Sequence, residues 1–263
     1  MVVQTRLAAA VLLLRPVDAG FEVFMVRRAI KSAFMPDVYV FPGGTVQAED
    51  RALEKQSKLC RAVKETAPDA EGFTQLGSGV RAAAIRELFE EANILLAYAA
   101  GTHQQALLEI NREALARFAG YRKQLNLCAG TLEQCLLAEH LVLATDQLCY
   151  FAHWITPVTE PRRYDTHFFL VGAPLQQEAL HDQLETSDGI WIQPSEALAR
   201  NAEGTFPLAF PTIHQLRELA SYPDCATAFV TTEQRTVATI MPVRVERDGK
   251  VDFMLIPEHT SSV

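Results

Sequence analysis

Arg86-Glu87-Leu88-Phe89-Glu90-Glu91 sits in an alanine-rich stretch from Arg81 to Leu96, with apolar residues at Ile85, Leu88, Phe89, Ala92 and Leu95. That spacing predicts a helix. On it Glu87, Glu90 and Glu91 stand at i, i+3 and i+4, so three carboxylates share one face. Like charges in a row destabilise a helix unless a cation sits among them. Oxygen-only ligands select a hard ion such as Mg²⁺ or Mn²⁺, and such ions commonly serve where phosphates are cut. Upstream, Phe41-Pro42-Gly43-Gly44 reads as a short strand running into a turn.

The rest of the chain is consistent with a globular frame for that helix. Its 263 residues are about half hydrophobic and carry a formal charge of −8. An acidic balance argues against a general nucleic-acid or anionic-membrane binder. An anionic ligand would need local positive charge or a metal. Arg27, Arg28 and Lys31, and the pair Arg162-Arg163, are the clusters available for phosphate oxygens. Five cysteines without metal-ligand spacing read as buried thiols of a reduced compartment.

The apolar run Leu7–Leu14 is too short to span a membrane and lacks a cleavage site, so it reads as a strand. With residues 21–28 it makes a hairpin. Helices are expected at 49–66, 103–139 (broken near Cys128-Ala129-Gly130), 194–198 and 211–220. Further strands are expected at 148–156, 166–172 and 189–192, with a final hairpin at 240–245 and 251–256. The order predicts one mixed α/β domain over residues 1–263, with insertions at about 46–80 and 98–140.

These motifs together resemble the signature of the Nudix hydrolases, G-x5-E-x7-R-E-U-x-E-E-x-G-U. Gly44 fits the first glycine, and Asp50 stands where the pattern has Glu. Arg86 to Ile94 fits the second half, with Asn93 in place of Gly. The pattern puts Arg about 14 residues after Gly, whereas here it comes 42 after. Lengthening a surface loop that far costs only about 1 kcal/mol of closure entropy. At a helix end that turns left-handed, Asn is the usual substitute for Gly.

The split box, together with Phe34-Met35-Pro36, Pro161–Leu170 and Glu185–Trp191, resembles the peroxisomal-type acyl-coenzyme-A diphosphatases. A second coenzyme-A-associated signature is matched at Arg28-Ala29 but has Ala33 and Asp37 in place of Arg and Gly. The resemblance implies the Nudix α/β/α sandwich with helical insertions. It also implies hydrolysis of coenzyme A or acyl-CoA to 3′,5′-ADP and (acyl-)phosphopantetheine.

By the same resemblance, Glu87, Glu90, Glu91 and the Gly44 carbonyl would hold Mg²⁺ or Mn²⁺. Arg86 would face away from the metal and pair with Asp50 or Glu49. The base would be Glu90, Glu91 or Glu185, whereas His167 reads as a satisfied strand histidine.

ADP-ribose, NADH and nucleoside triphosphates are rival substrates. Rivals of other kinds are a non-catalytic nucleotide sensor and a helical docking protein using residues 98–140. A small-molecule ligand, no nucleic acid, no membrane and a cytoplasmic location are expected, and a homodimer is left open. Nothing in the final Ser261-Ser262-Val263 resembles a peroxisomal address.

Overall fold

A computed structural model describes residues 3–30, 36–63, 76, 78–101, 106–182, 186–247 and 250–255. The first hairpin is β1 (Arg6–Val17) and β2 (Gly20–Arg28), followed by β3 (Tyr39–Val40) and β4 (Gly43–Thr45). Helices α1 (Ala48–Glu54) and α2 (Val80–Ala92) come next. A small hairpin of β5 (Ala97–Ala99) and β6 (Leu141–Leu143) encloses α3 (Leu115–Asn126) and α4 (Leu132–Ala138) in sequence. The strands β7 (Cys149–Ile155), β8 (Tyr164–Gly172) and β9 (Thr186–Ile192) precede α5 (Pro194–Ala202), α6 (Phe210–Leu219) and α7 (Cys225–Gln234). The described chain ends with β10 (Thr239–Ile240) and a hairpin of β11 (Val243–Arg247) and β12 (Lys250–Met254).

The main sheet runs β10-β7-β8-β1-β2-β3, with β4 also on β1 and β9 on β2. It is mixed: β1 runs antiparallel to β2 and β4 but parallel to β8. This placement explains the uninterrupted apolar run of β1. A central strand covered on both faces has no solvent side to make polar. Ala9, Val11 and Leu13 pack with α2, while Ala10, Leu12 and Leu14 pack towards α5, α6 and α7. The result is a mixed α/β sandwich, helices on either side of one sheet.

Several expected boundaries move. Helix α1 stops at Glu54, and Cys60 then forms a β-bridge with Leu143, so the helix expected over 49–66 is short. Residues 64–75 lie outside the described set. Helix α2 ends at Ala92 rather than Leu96 because Asn93 takes a left-handed conformation (φ 61°) and donates its N–H to Leu88 and Phe89. Within 103–139, residues 106–111 are not helical: the Leu108 N–H bonds Ala97 O instead. The break near Cys128 is present, at φ 51°.

Helix α7 was not expected, since its Thr and Val content lowers helix propensity. Asp224 caps it, accepting from the Thr227 N–H at 2.7 Å, and packing of Ala228 and Thr232 supplies the rest. Among the described residues, no helix is long and apolar enough to cross a membrane.

Candidate functional site: carboxylates closed on a glycine turn

The site forms where β4 meets α2. Gly43 and Gly44 pair with Ala10 and Ala9 of β1, and each needs to be glycine for its own reason. A Cβ on Gly43 would run into the Ala9 carbonyl and Ala10. On Gly44 it would fall inside the Glu87 carboxylate. The missing side chains therefore let the backbone of β4 lie directly against β1 at Gly43 and against α2 at Gly44. Glu91 completes the contact, its Oε2 accepting the Gly43 N–H at 2.8 Å.

Arg86 joins the two halves of the motif. Its Nε and Nη2 donate to Asp50 Oδ1 and Oδ2, each at 2.9 Å, and Nη2 also donates to Thr45 O at 3.0 Å. Asp50 in turn accepts the Gln47 N–H at 2.8 Å, capping α1. The acid that partners Arg86 is thus Asp50, which is 1% exposed, and Glu49 points to solvent.

Arg86 does not simply face away from the carboxylates. Its Nη1 donates to Glu87 Oε1 at 2.9 Å and to Glu90 Oε2 at 2.7 Å. The reason is electrostatic: the buried guanidinium is wedged among three acids. Burial pulls its pKa down, but Glu87, Asp50 and Glu90 together hold it above the ordinary arginine value. Glu87 is pushed up to about 7 by burial first, with Arg86 opposing and Glu90 adding. Glu90 is the one residue of α2 that is not buried.

The other candidates divide. Arg28 lines the same cavity as the glutamates. Arg27 instead pairs with Asp37 at 2.9 Å and lies 5.5 Å over the Tyr39 ring. Arg162 is exposed in the turn before β8. Arg163 requires a correction. It is buried and donates to the carbonyls of Thr156, Pro157 and Val3 at 2.9–3.1 Å, so it clasps the β7–β8 turn rather than facing a ligand. Lys31 and Glu185 lie outside the described residues.

His167 is buried and hydrogen-bonded to Tyr150 at 2.8 Å. Burial first, then His153 and Arg81, push it down to about 4, against the opposing pull of Asp165.

Two features had no motif to announce them. Helix α3 reaches the last turn of α2, where Arg122 Nε donates to Glu90 O at 2.9 Å and Nη2 to Leu180 O at 2.7 Å. The cavity of about 650 Å³ beside the glutamates is also walled by Phe41, Trp154, Phe168, Phe210 and Phe253. Those aromatics come from five separate segments, so no local spacing could reveal them.

Three carboxylates lie together where glycine lets the backbone come close, Glu87 and Glu91 against the Gly43-Gly44 turn and Glu90 bridged to Glu87 by Arg86, and such an all-oxygen set suits a hard divalent cation.

The family described as the NUDT19 Nudix domain matches residues 64–219, which include α2 but not the Gly43–Asp50 turn. The chain is similar to the acyl-coenzyme A diphosphatase NUDT19 of Gallus gallus, 30% identical over 237 residues, covering 77% of this chain and 62% of the relative. It is similar also to that of Xenopus laevis, 26% identical over 231 residues, covering 78% and 61%. The chain thus spans about three fifths of the length of these curated relatives. A crystal structure of a Nudix hydrolase from Alicyclobacillus acidocaldarius superposes with a TM-score of 0.69 at 27% identity, covering 86% of this chain and 96% of that one.

Proposed function

The chain belongs to the NUDT19 Nudix domain family, and from that premise we propose that it is a metal-dependent diphosphatase acting on coenzyme A or its thioesters. The observation that carries this reading is the closure of Glu87 and Glu91 on the Gly43-Gly44 turn, with Glu90 beside them lining a 650 Å³ cavity. We read the chain as one Nudix domain, with insertions at about 46–80 and 98–140.

Glu87, Glu90, Glu91 and the Gly44 carbonyl would hold Mg²⁺ or Mn²⁺. When bound, such an ion neutralises a diphosphate and lowers the pKa of a ligated water. Arg86, fixed by Asp50, keeps the turn and helix in register, so that the carboxylates meet the diphosphate already oriented. Glu90 is the most accessible of the three and takes the proton of the attacking water at its carboxylate. Arg28, at the cavity wall, offers its guanidinium to phosphate oxygens. The aromatic wall shields the reacting end from water and accepts the apolar part of an acylated substrate.

Purified protein supplied with Mg²⁺ or Mn²⁺ tests the reading against coenzyme A, acyl-CoA esters, ADP-ribose, NADH and nucleoside triphosphates. Release of 3′,5′-ADP and phosphopantetheine products, lost in Glu90→Gln, is expected. Preference for ADP-ribose or NADH would overturn the coenzyme-A assignment. Binding without turnover of any of them would favour a nucleotide sensor.

A further inference from the structure

On the sheet face covered by α2, two strands away from Gly44, lies a second group of metal-ligand type. His167 of β8 pairs with Ala9 of β1, and Ala9 with Gly44 of β4. On the other side His167 pairs with His153 of β7. Two interstrand spacings put His167 about 10 Å from the Gly44 backbone, so the groups are neighbours but separate.

The two imidazoles stack, with ring centroids 4.2 Å apart and planes at 11°. Their Nε2 atoms turn to the same carboxylate oxygen: His153 Nε2 is 2.6 Å, and His167 Nε2 3.6 Å, from Asp165 Oδ1. One ligand atom from each residue lies within 4.8 Å of the other two. Each ring is held at its far nitrogen, His153 Nδ1 by Thr239 Oγ1 and His167 Nδ1 by Tyr150 Oη, both at 2.8 Å. At 2.6 Å the His153 Nε2–H donates to Asp165, and an ion taking that proton's place would leave each ring held at Nδ1 by a hydroxyl, as partners of metal-bound histidines do. His153 and Asp165 remain partly exposed, which gives an entry path.

We propose that His153, Asp165 and His167 form a second metal site, taking one borderline divalent ion of the zinc class. Two imidazoles and one carboxylate suit Zn²⁺ over Mg²⁺, the reverse of the all-oxygen glutamate site. Tetrahedral ligation at about 2.0–2.1 Å places ligand atoms roughly 3.3 Å apart. The 3.6 Å pair is near that spacing already, the 2.6 Å pair opens as the Asp165 carboxylate turns, and the two stacked rings tilt out of parallel so that both Nε2 atoms face one ion. Such an ion would tie β7 to β8 and, through Thr239, brace β10. The proposal stands independently of the diphosphatase reading.

Chelator-treated protein, titrated with Zn²⁺ alone in a large excess of Mg²⁺, provides the test. Equilibrium dialysis is expected to show one tightly held Zn²⁺ per chain, with a midpoint of melting that rises on binding. His153→Gln and Asp165→Asn should each weaken it roughly tenfold or more, whereas Glu90→Gln should not. Long-range ¹H–¹⁵N spectra of the unmutated protein should show two imidazoles ligated through Nε2, a readout that survives if a variant fails to fold. No Zn²⁺ retained against Mg²⁺, retention unchanged in both variants, or absence of Nε2 ligation in those spectra would overturn the proposal.

Discussion

The two faces of the central sheet bury different things. Helix α2 puts Arg81, Arg86, Glu87 and Glu91 out of water on one side, whereas the buried residues of α5, α6 and α7 on the other carry no charge. Taking a charge from water costs several kcal/mol, recovered only where pairing and hydrogen bonding are good. Stability alone would favour the uncharged solution seen under α6. A helix that buries four charges, three of them at a glycine turn, therefore answers to chemistry, and the opposite face supplies the stability that lets it do so.

Substitutions should separate the faces. The largest effect is expected from Glu90→Gln or Glu91→Gln, each lowering kcat for diphosphate cleavage about 100-fold or more, as a loss of several kcal/mol of charge stabilisation implies. Melting should show little change for Glu90→Gln. Next comes Arg86→Ala, which leaves Asp50 buried without its guanidinium. Urea unfolding should show a loss of about 3–5 kcal/mol, and Arg86→Lys should recover only part because it lacks the fork that engages Asp50 and Thr45.

On the apolar face, Leu216→Ala should cost about 2–5 kcal/mol of stability while leaving turnover per folded molecule intact. An equal loss of turnover would break the division between the faces. Smaller still, Asn93→Ala should cost about 1–2 kcal/mol for its left-handed backbone, with Asn93→Gly neutral or stabilising.

The thiols give the mildest contrast. Burial, with Glu54 adding, pushes Cys60 up to about 12, and burial with Glu139 does the same to Cys135. Cys128 is exposed. Alkylation at neutral pH followed by peptide mapping should label Cys128 long before the buried pair.

How far the site could be read from the chain depends on the range of each contact. The shared face of Glu87, Glu90 and Glu91 follows from helical period alone, whereas that same period runs on to Leu96 and only the glycine of the motif pointed to the left-handed stop at Asn93. The pairing of Arg86 with an acid near residue 50 needed the motif order, and only packing decided for Asp50 over Glu49. Arg163 misled because adjacent arginines look alike in sequence: one is exposed, and the other is folded back onto three carbonyls. The grip of Arg122 on Glu90 O, the aromatic wall and the His153–His167 stack join residues far apart in sequence, where no spacing rule applies. Helix α7 escaped notice because its propensity is weak and its stability comes from the sheet.

The central claim is that the carboxylates of α2 and the Gly44 turn together hold the catalytic cation. Mn²⁺ binding, followed by electron paramagnetic resonance in the unmutated protein and in Glu87→Gln, Glu90→Gln and Glu91→Gln, tests it most directly. The account predicts bound Mn²⁺ in the unmutated protein, displaced by Mg²⁺, and affinity reduced at least about tenfold in each variant. Mn²⁺ affinity unchanged across all three variants would contradict it.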